Sequence, residues 1–188
     1  MKKALHEGEG LYVSMRAGKL LALGKEGADF LVEAANKTLG YEYLDHKGTR
    51  VLKKGDGSLT GYIPLEVQFG MAARYWLARI HDEGVSKNMM DEINRELGNI
   101  RFIHMLMPAK DGAPYWQHIS DLDTSWAGPH EIAAYNIANQ IVIGGLEKLK
   151  RCQLPACNRF FLGPRNAKWC SVSCGSLYRV RQKRKRER

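Results

Sequence analysis

Residues 151–188 read RCQLPACNRFFLGPRNAKWCSVSCGSLYRVRQKRKRER, and this stretch holds all four cysteines of the chain. Four residues separate the first cysteine from the second, twelve separate the second from the third, and three separate the third from the fourth. Two close pairs of thiols are typical of structural zinc sites, in which four thiolates surround the ion as a tetrahedron. The spacing therefore predicts a Zn²⁺ site formed by Cys152, Cys157, Cys170 and Cys174.

The segments between these ligands have the pattern of a small folded unit. Pro155 restricts the loop between the first two ligands. Cys170 and Cys174 are four residues apart, which places both on one face of a helical turn. We expect residues 159–162 and 167–169 to form a hairpin between the two pairs. A knuckle, a hairpin and a helix that donates the last two ligands make a treble-clef-like zinc finger.

This predicted finger is too small to fold by burial of apolar side chains alone. Its core would consist of Phe160 or Phe161 with Trp169, and Leu177 and Val180 of the following helix could cover it. Metal binding contributes about 10–16 kcal/mol in small finger peptides, which makes up the difference. The alternatives are two redox pairs or four unrelated thiols, but the paired spacing favours metal ligands. Four thiolates leave no open position for water, so a structural zinc is favoured over a catalytic one.

Positive charge is concentrated in the same part of the chain. Residues 1–146 have a net charge of −2 and residues 147–188 a net charge of +11, which together give +9. A segregated basic block is typical of proteins that bind a polyanion, most often nucleic acid. The alternative is a solvated tail that aids solubility, and the adjacent zinc site favours the nucleic-acid interpretation.

Basic side chains of the finger and of the helix after it would provide the contacts to nucleic acid. Ser171 or Ser173 is expected to cap that helix. Such side chains contact backbone phosphates readily, but they specify sequence only where they reach base edges. Tyr178 and Gln182 are the uncharged candidates for base contacts, although a structural role is the commoner use of both. The candidate nucleic-acid-binding residues are Arg159, Arg165, Lys168, Arg179, Arg181, Lys183, Arg184, Lys185 and Arg186.

The preceding residues predict a mixed N-terminal domain, so the predicted fold class is α+β with domains at residues 1–150 and 151–188. Helices are predicted at residues 28–39, 64–80, 86–97 and 129–150. Strands are predicted at residues 41–44, 49–53, 58–63, 99–107 and 115–122, with a further short hairpin at residues 11–24. The last helix, whose apolar stripe includes Ile132, Val142 and Leu146, leads directly into the first ligand. We therefore expect the finger to dock on the N-terminal domain.

No catalytic motif is present in the sequence, and we expect the protein not to be an enzyme. Asp121 and Asp123 could form an acid pair, but a turn or a helix cap is the commoner role of such residues. A nuclease centre beside the finger would need a histidine, and none follows His130. The remaining histidines lack metal-ligand spacing, and they include His81, His104 and His118. Three aromatic residues could line a ligand pocket, but core packing is the commoner use of such side chains. They are Tyr115, Trp116 and Trp126.

Several short motifs accompany the cysteines, namely Arg151-Cys152, Phe161, Arg165-Asn166, Trp169-Cys170-Ser171 and Cys174-Gly175 before a basic helix. Together with the ligand spacings, these motifs resemble the CGNR-type zinc finger that ends a group of bacterial regulators with an N-terminal ABATE domain. Ser176-Leu177 stands where the family motif has Asn-Arg. Zinc binding is unaffected by that difference, but any contact made by the Asn-Arg pair is not carried over.

The resemblance implies a DNA-binding protein similar to stress-induced transcription regulators, with zinc as cofactor and duplex DNA as partner. The N-terminal domain would then sense a signal or mediate homodimerisation. An RNA-binding or ribosome-associated factor stays open as the alternative, because a basic tail does not distinguish RNA from DNA. No run of about 18 apolar residues is present, and the N-terminus lacks the apolar core of a secretory signal. We therefore expect a cytoplasmic protein with no membrane span, in which reducing conditions favour metal ligands over disulfides.

Overall fold

The computed structural model describes residues 26–46, 49–55, 57–60, 63–100, 102–108, 114–120 and 127–187. The helices in these ranges are α1 Gly27–Lys37, α2 Leu65–Glu83, α3 Lys87–Leu97, α4 Pro129–Val142 and α5 Val172–Arg186. The strands are β1 Glu42–His46, β2 Thr49–Lys53, β3 Leu59–Thr60, β4 Phe102–Pro108, β5 Pro114–Ser120, β6 Leu149–Arg151 and β7 Phe160–Leu162. The predicted α+β class is confirmed. The hairpin predicted at residues 11–24 lies outside the described residues.

Helices α1, α2 and α4 form the centre of the fold. Apolar residues recur three or four positions apart on each helix, so each one has a face that it can bury. None of the described helices has both the length and the apolar character that a membrane crossing needs. The residues buried between the three helices include Ala28, Leu31, Ala35, Phe69, Ala73, Leu77, Ile132, Ala133 and Ile137.

Helices α1 and α2 approach each other closely at Gly70. A Cβ atom at this position would lie 2.6 Å from the backbone oxygen of Ala34 and 2.6 Å from Cγ2 of Thr38. The rings of Phe30 and Phe69 pack in the same interface with their centroids 5.7 Å apart. Glycine therefore sets the distance between the two helices, because no other residue leaves room for the α1 backbone.

The ends of α2 and α3 follow the signals in the sequence. Helix α2 begins directly after Pro64 and is followed by Gly84, whose φ of +73° suits glycine. Helix α3 is capped by Ser86, whose Oγ accepts a hydrogen bond from the N–H of Met89 at 3.2 Å. This cap satisfies one of the backbone donors that a helix leaves free at its start, and it confirms the predicted role of Ser86.

Strands β1 to β5 form two antiparallel sheets, and in each sheet the strands pair in their order along the chain. Strands β1, β2 and β3 form a three-stranded meander in which Leu44 is opposite Val51. Strands β4 and β5 pair over their full length, from Phe102 opposite Ser120 to Pro108 opposite Pro114. Short connections favour pairing of consecutive strands, and the predicted strands overlap all five of these elements.

The helix predicted over residues 129–150 is wrong beyond Val142. Gly144 has a φ of +71°, and the N–H of Gly145 donates to the carbonyl of Gln140 at 2.9 Å, which closes the end of α4. Leu146 lies in the turns after α4 and is buried. Val142, which was expected on the same apolar stripe, is 85% exposed. The helical period therefore fails where the glycine pair allows the chain to leave the helix.

The early end of α4 leaves residues 149–151 free to form β6, which pairs with β7. In this hairpin Leu149 is opposite Leu162 and Arg151 is opposite Phe160. The hairpin predicted between residues 159–162 and 167–169 is therefore wrong. Residues 167–169 instead accept a backbone hydrogen bond from the finger loop, from the N–H of Gln153 to the carbonyl of Lys168 at 2.9 Å.

Replacing Gly70 with alanine should lower the free energy of unfolding by about 1–3 kcal/mol, because the added methyl group meets the α1 backbone. Urea unfolding of the metal-loaded protein, followed by far-ultraviolet circular dichroism, measures the change. Gly98→Ala is the matched control, since Gly98 has helical backbone angles and a Cβ there would be 3.3 Å from its nearest neighbour. The control should leave stability unchanged or raise it by up to about 1 kcal/mol. Equal stability of both variants would show that α1 and α2 can separate at little cost.

Candidate metal centre

The first two cysteines lie in the turn that connects β6 to β7. Cys152 directly follows β6, and its N–H donates to the carbonyl of Arg159 at 2.9 Å. The N–H of Cys157 donates to the carbonyl of Leu154 at 2.8 Å and closes a tight turn. Asn158 then adopts a φ of 54°, a left-handed conformation that asparagine tolerates better than most residues. The chain reverses at this point, so both thiols come to one side of the turn.

The other two cysteines lie at the beginning of α5. Ser171 caps this helix, and its Oγ accepts a hydrogen bond from the N–H of Cys174 at 3.2 Å. The cap is therefore Ser171, which is one of the two residues that the sequence predicted for this role. Cys174 lies in the first helical turn, where the positive end of the helix favours a thiolate. Cys170 precedes the cap, so the prediction that the helix carries both of these ligands is wrong.

The four sulfur atoms are arranged as ligands of a single ion. The Sγ atom of Cys157 lies 3.5 Å from that of Cys170 and 3.7 Å from that of Cys174, and the last two are 3.6 Å apart. All four Sγ atoms, including that of Cys152, lie within 4.8 Å of one another. Four ligands at about 2.3 Å from a central zinc in a tetrahedron are about 3.8 Å apart. The donor set therefore fits one tetrahedral metal ion, and the predicted cysteines are brought together.

The surroundings of the thiols affect their protonation in different directions. Burial raises the pKa of the Cys157 thiol and of the Cys170 thiol. Hydrogen bonding with the Ser171 hydroxyl lowers the pKa of the Cys174 thiol at the helix start. A thiolate, and not a thiol, ligates a metal. Four thiolates at this spacing would repel one another, so the cluster in its ligating form needs a cation that compensates the negative charge.

Helix α5 is held against the finger by aromatic contacts. The rings of Trp169 and Tyr178 are 5.8 Å apart, and a Cβ at Gly175 would lie 3.2 Å from the Trp169 ring. Trp169 is thus part of the finger interior, as predicted. Leu177 and Val180 do not cover that interior, because they are 51% and 46% exposed. Tyr178 is therefore used for packing, which leaves it less suited to contact a base.

Phe160 belongs to the helical core and not to a core of the finger. Its side chain is 1% exposed and packs among the buried residues of the central helices. Asn36 of α1 uses both atoms of its amide here. Its Nδ2 donates to the carbonyl of Phe160 at 2.8 Å, and its Oδ1 accepts from the N–H of Phe160 at 2.9 Å. The finger is therefore docked on the N-terminal part of the chain, as the sequence predicted, although through β7.

Two arginines enclose the buried phenylalanine ring. The guanidinium carbons of Arg74 and Arg151 lie 5.5 Å and 5.7 Å from the centroid of Phe160, within the range of cation–π attraction. Arg74 also donates to the carbonyl of Asn158 at 3.2 Å. Burial lowers the pKa of Arg74, and the positive charge of Arg151 lowers it further. The contacts of Arg74 reach from α2 to the residue that follows Cys157, so they connect the helical core to the metal site.

Sequence reasoning missed Asn36 and Arg74, although both position the finger. Asn36 follows apolar residues on an amphipathic helix, and Arg74 is one of two arginines on α2, so neither stands out locally. Their role depends on a partner in β7, which lies 124 positions after Asn36. No signal in the neighbouring sequence could have identified them.

The predicted nucleic-acid-binding residues lie on two parts of the finger. Lys168 and Arg179 line one groove of about 350 Å³, together with Asn166 and Ser171. Arg159 and Arg165 are exposed in finger loops and do not line that groove. The exposed basic residues of α5 are Arg179, Arg181, Lys183, Arg184, Lys185 and Arg186.

Other residues singled out in the sequence do not join the cluster. His81 is exposed and its Nδ1 lies 2.6 Å from Oδ1 of Asp82. His130 lines a cavity of about 220 Å³ with Tyr75, Trp76 and charged residues of α3. The structure does not describe Asp121, Asp123 and Trp126, nor the side chains of His104, Tyr115, Trp116 and His118. The expectation that the protein is not an enzyme stays a prediction.

Residues 148–187 match the family model of the CGNR zinc finger. The match covers the four cysteines, the whole β6–β7 hairpin and α5. The resemblance seen in the sequence is therefore confirmed for this segment, whereas the assignment of an ABATE domain and the domain boundary at residue 150 stay predictions. No curated protein matches the chain.

Replacing Asn36 with alanine should lower the free energy of unfolding by about 1–3 kcal/mol, because both backbone groups of Phe160 lose their partner. Denaturant unfolding of the metal-loaded protein measures this loss. Asn88→Ala is the control, since exposed Asn88 only donates to Glu92 at 3.2 Å. The control should change stability by no more than about 0.5 kcal/mol. If Asn36→Ala behaves like the control, the finger is held to the core without this contact.

Proposed function

We propose that the protein is a zinc-dependent, DNA-binding transcription regulator whose finger holds α5 against duplex DNA. Four thiolates at tetrahedral spacing suit zinc, which has this preference in structural sites. The CGNR match over residues 148–187 supports a zinc-binding role related to nucleic acid. When bound, the ion would link the knuckle to the start of α5 and fix the direction of that helix.

The observation that carries the DNA-binding proposal is the charge of α5. The helix exposes six basic side chains from Arg179 to Arg186, and its single acid is the capping residue Glu187. Lys183 lies 3.8 Å from Glu187, but an exposed pair of this kind contributes little. The like charges repel one another along the last turns. Phosphates would remove this repulsion, and the release of their counterions would add to affinity.

The helical core has a supporting part in this proposal. Asn36, Arg74 and Phe160 fix the finger to α1 and α2, so the core holds in place the finger that carries α5. A signal sensed by the N-terminal part, or a dimer formed through it, would then act on the position of α5. Cytoplasmic location and the lack of enzymatic activity belong to the same proposal, since reducing conditions keep four thiols available as ligands.

The purified protein should contain one zinc ion per chain, measured by inductively coupled plasma mass spectrometry after dialysis. Cys157→Ser removes one thiolate from the cluster and should lower the zinc content far below that value. His130→Ala changes an exposed possible ligand outside the cluster and should retain the zinc. Full zinc content in the serine variant would contradict the four-thiolate site.

The zinc-loaded protein should bind mixed-sequence duplex DNA with an affinity that falls steeply with salt. The logarithm of the binding constant should change with the logarithm of salt concentration by about 0.9 for each phosphate contact. A variant with Arg181→Gln, Lys183→Gln and Lys185→Gln should bind more weakly and with a smaller slope. Fluorescence anisotropy over a salt series measures both quantities.

The control for this experiment removes the same charge elsewhere. Lys54→Gln, Lys87→Gln and Arg95→Gln change exposed residues outside the finger, so the slope should stay that of the unmodified protein. Absence of duplex binding at low salt would end the DNA-binding proposal. Preferential competition by RNA of the same sequence would support the alternative, an RNA-binding or ribosome-associated factor.

A further inference from the structure

Helix α5 has two sides of different character. Gly175, Tyr178 and Gln182 are buried or half-buried on the side that faces the finger. Successive residues of a helix are rotated by about 100°, so Leu177 and Val180 share the opposite side. These two side chains are 51% and 46% exposed in the middle of a basic helix. The finger therefore does not cover these two branched side chains, and they are free to meet a partner.

The basic side chains lie on both flanks of this apolar face. By the same rotation, Arg181 and Lys185 lie on one flank and Lys183 lies on the other. Arg179 is turned toward the finger, where its guanidinium carbon lies 6.0 Å from the centroid of the Trp169 ring. All four side chains are exposed. Arg184 continues the line of Leu177 and Val180 toward the end of the helix. The free side of α5 is therefore an apolar strip with positive charge on both of its flanks, and we call it the α5 outer face.

We propose that Leu177 and Val180 contact thymine methyl groups in the major groove of duplex DNA and give the protein a preference for thymine-containing sites. This inference rests on the proposed DNA binding. The major groove is about 12 Å wide and admits one α-helix, and the thymine methyl is the apolar group that base edges present there. A helix in the groove has a phosphate backbone on each side. The cations on the two flanks of the α5 outer face match that arrangement, with the apolar strip directed at the bases.

Other occupants fit the α5 outer face less well. A second copy of the chain would bring the basic side chains of two helices together without acidic partners, which is unfavourable at short distance. Single-stranded nucleic acid is bound through aromatic side chains on which bases stack. Here the aromatic residue of α5, Tyr178, packs on Trp169 instead. The major groove of A-form RNA is too narrow for side chains to read, and uracil lacks the methyl group.

The test compares two duplexes that differ only in thymine methyl groups. The zinc-loaded full chain first selects its preferred sites from a random duplex pool, and the selected duplex is then made with every thymine replaced by deoxyuridine. Removing each contacted methyl should weaken binding about fourfold, the effect of exposing about one methylene's worth of apolar surface. The variant Leu177→Ala/Val180→Ala should bind the thymine duplex more weakly and should not distinguish the two duplexes. Both residues are exposed, and unchanged zinc content and circular dichroism would show that this variant is folded.

Val142→Ala is the matched control, because Val142 is an exposed branched residue on α4 that lies outside the α5 outer face. This variant should keep the full preference for the thymine duplex. Equal binding of the unmodified protein to both duplexes, with a steep salt dependence, would overturn the base contacts and leave phosphate binding intact. Absence of any duplex binding would overturn both proposals together. A homodimer in sedimentation that Leu177→Ala/Val180→Ala converts to a monomer would instead assign the α5 outer face to self-association.

Discussion

The position of the finger depends on the burial of Phe160 in the helical core. Its ring is enclosed by Arg74 and Arg151, while Asn36 bonds to both its N–H and its carbonyl. These contacts reinforce one another, because the ring is desolvated only when the backbone groups beside it have partners. A basic finger joined by a flexible linker would sample many orientations. Here one aromatic residue and one amide restrict it to a defined place on α1 and α2.

The same contact couples the metal site to the rest of the protein. Cys157 and Phe160 belong to one hairpin, and Arg74 bonds to Asn158 between them. Zinc contributes about 10–16 kcal/mol in small fingers, which is comparable to the whole stability of an ordinary domain. A metal ion that holds the four cysteines therefore also restrains the hairpin that places Phe160 in the core. In turn, the core limits the conformations of the knuckle and so prepares two ligands for binding.

The orientation of α5 is fixed by its first turn and by its packing against the finger. Ser171 and Cys174 fix where the helix begins, and Trp169 packs against Gly175 and Tyr178 to fix which side faces inward. A helix with six exposed cations has little tendency to hold one orientation by itself. Its rotation is determined by the one side that can pack. This is why the exposed apolar residues of α5 and the cations beside them have a defined geometry.

The sequence by itself determined the four cysteines, the cap Ser86, the pairing of β4 with β5 and the basic end of the chain, and it limited the cap of α5 to Ser171 or Ser173. Each of these is a local pattern whose chemistry needs only nearby residues, and a metal ion turns cysteine spacing into a long-range restraint. Only the tertiary structure decided the end of α4, the pairing of β6 with β7, the exposure of Leu177 and Val180, and the place of Phe160. Asn36 and Phe160 are 124 positions apart, and no periodicity or motif connects them. Their contact arises because two surfaces buried together must satisfy each other's hydrogen bonds, a requirement that exists only in the folded chain.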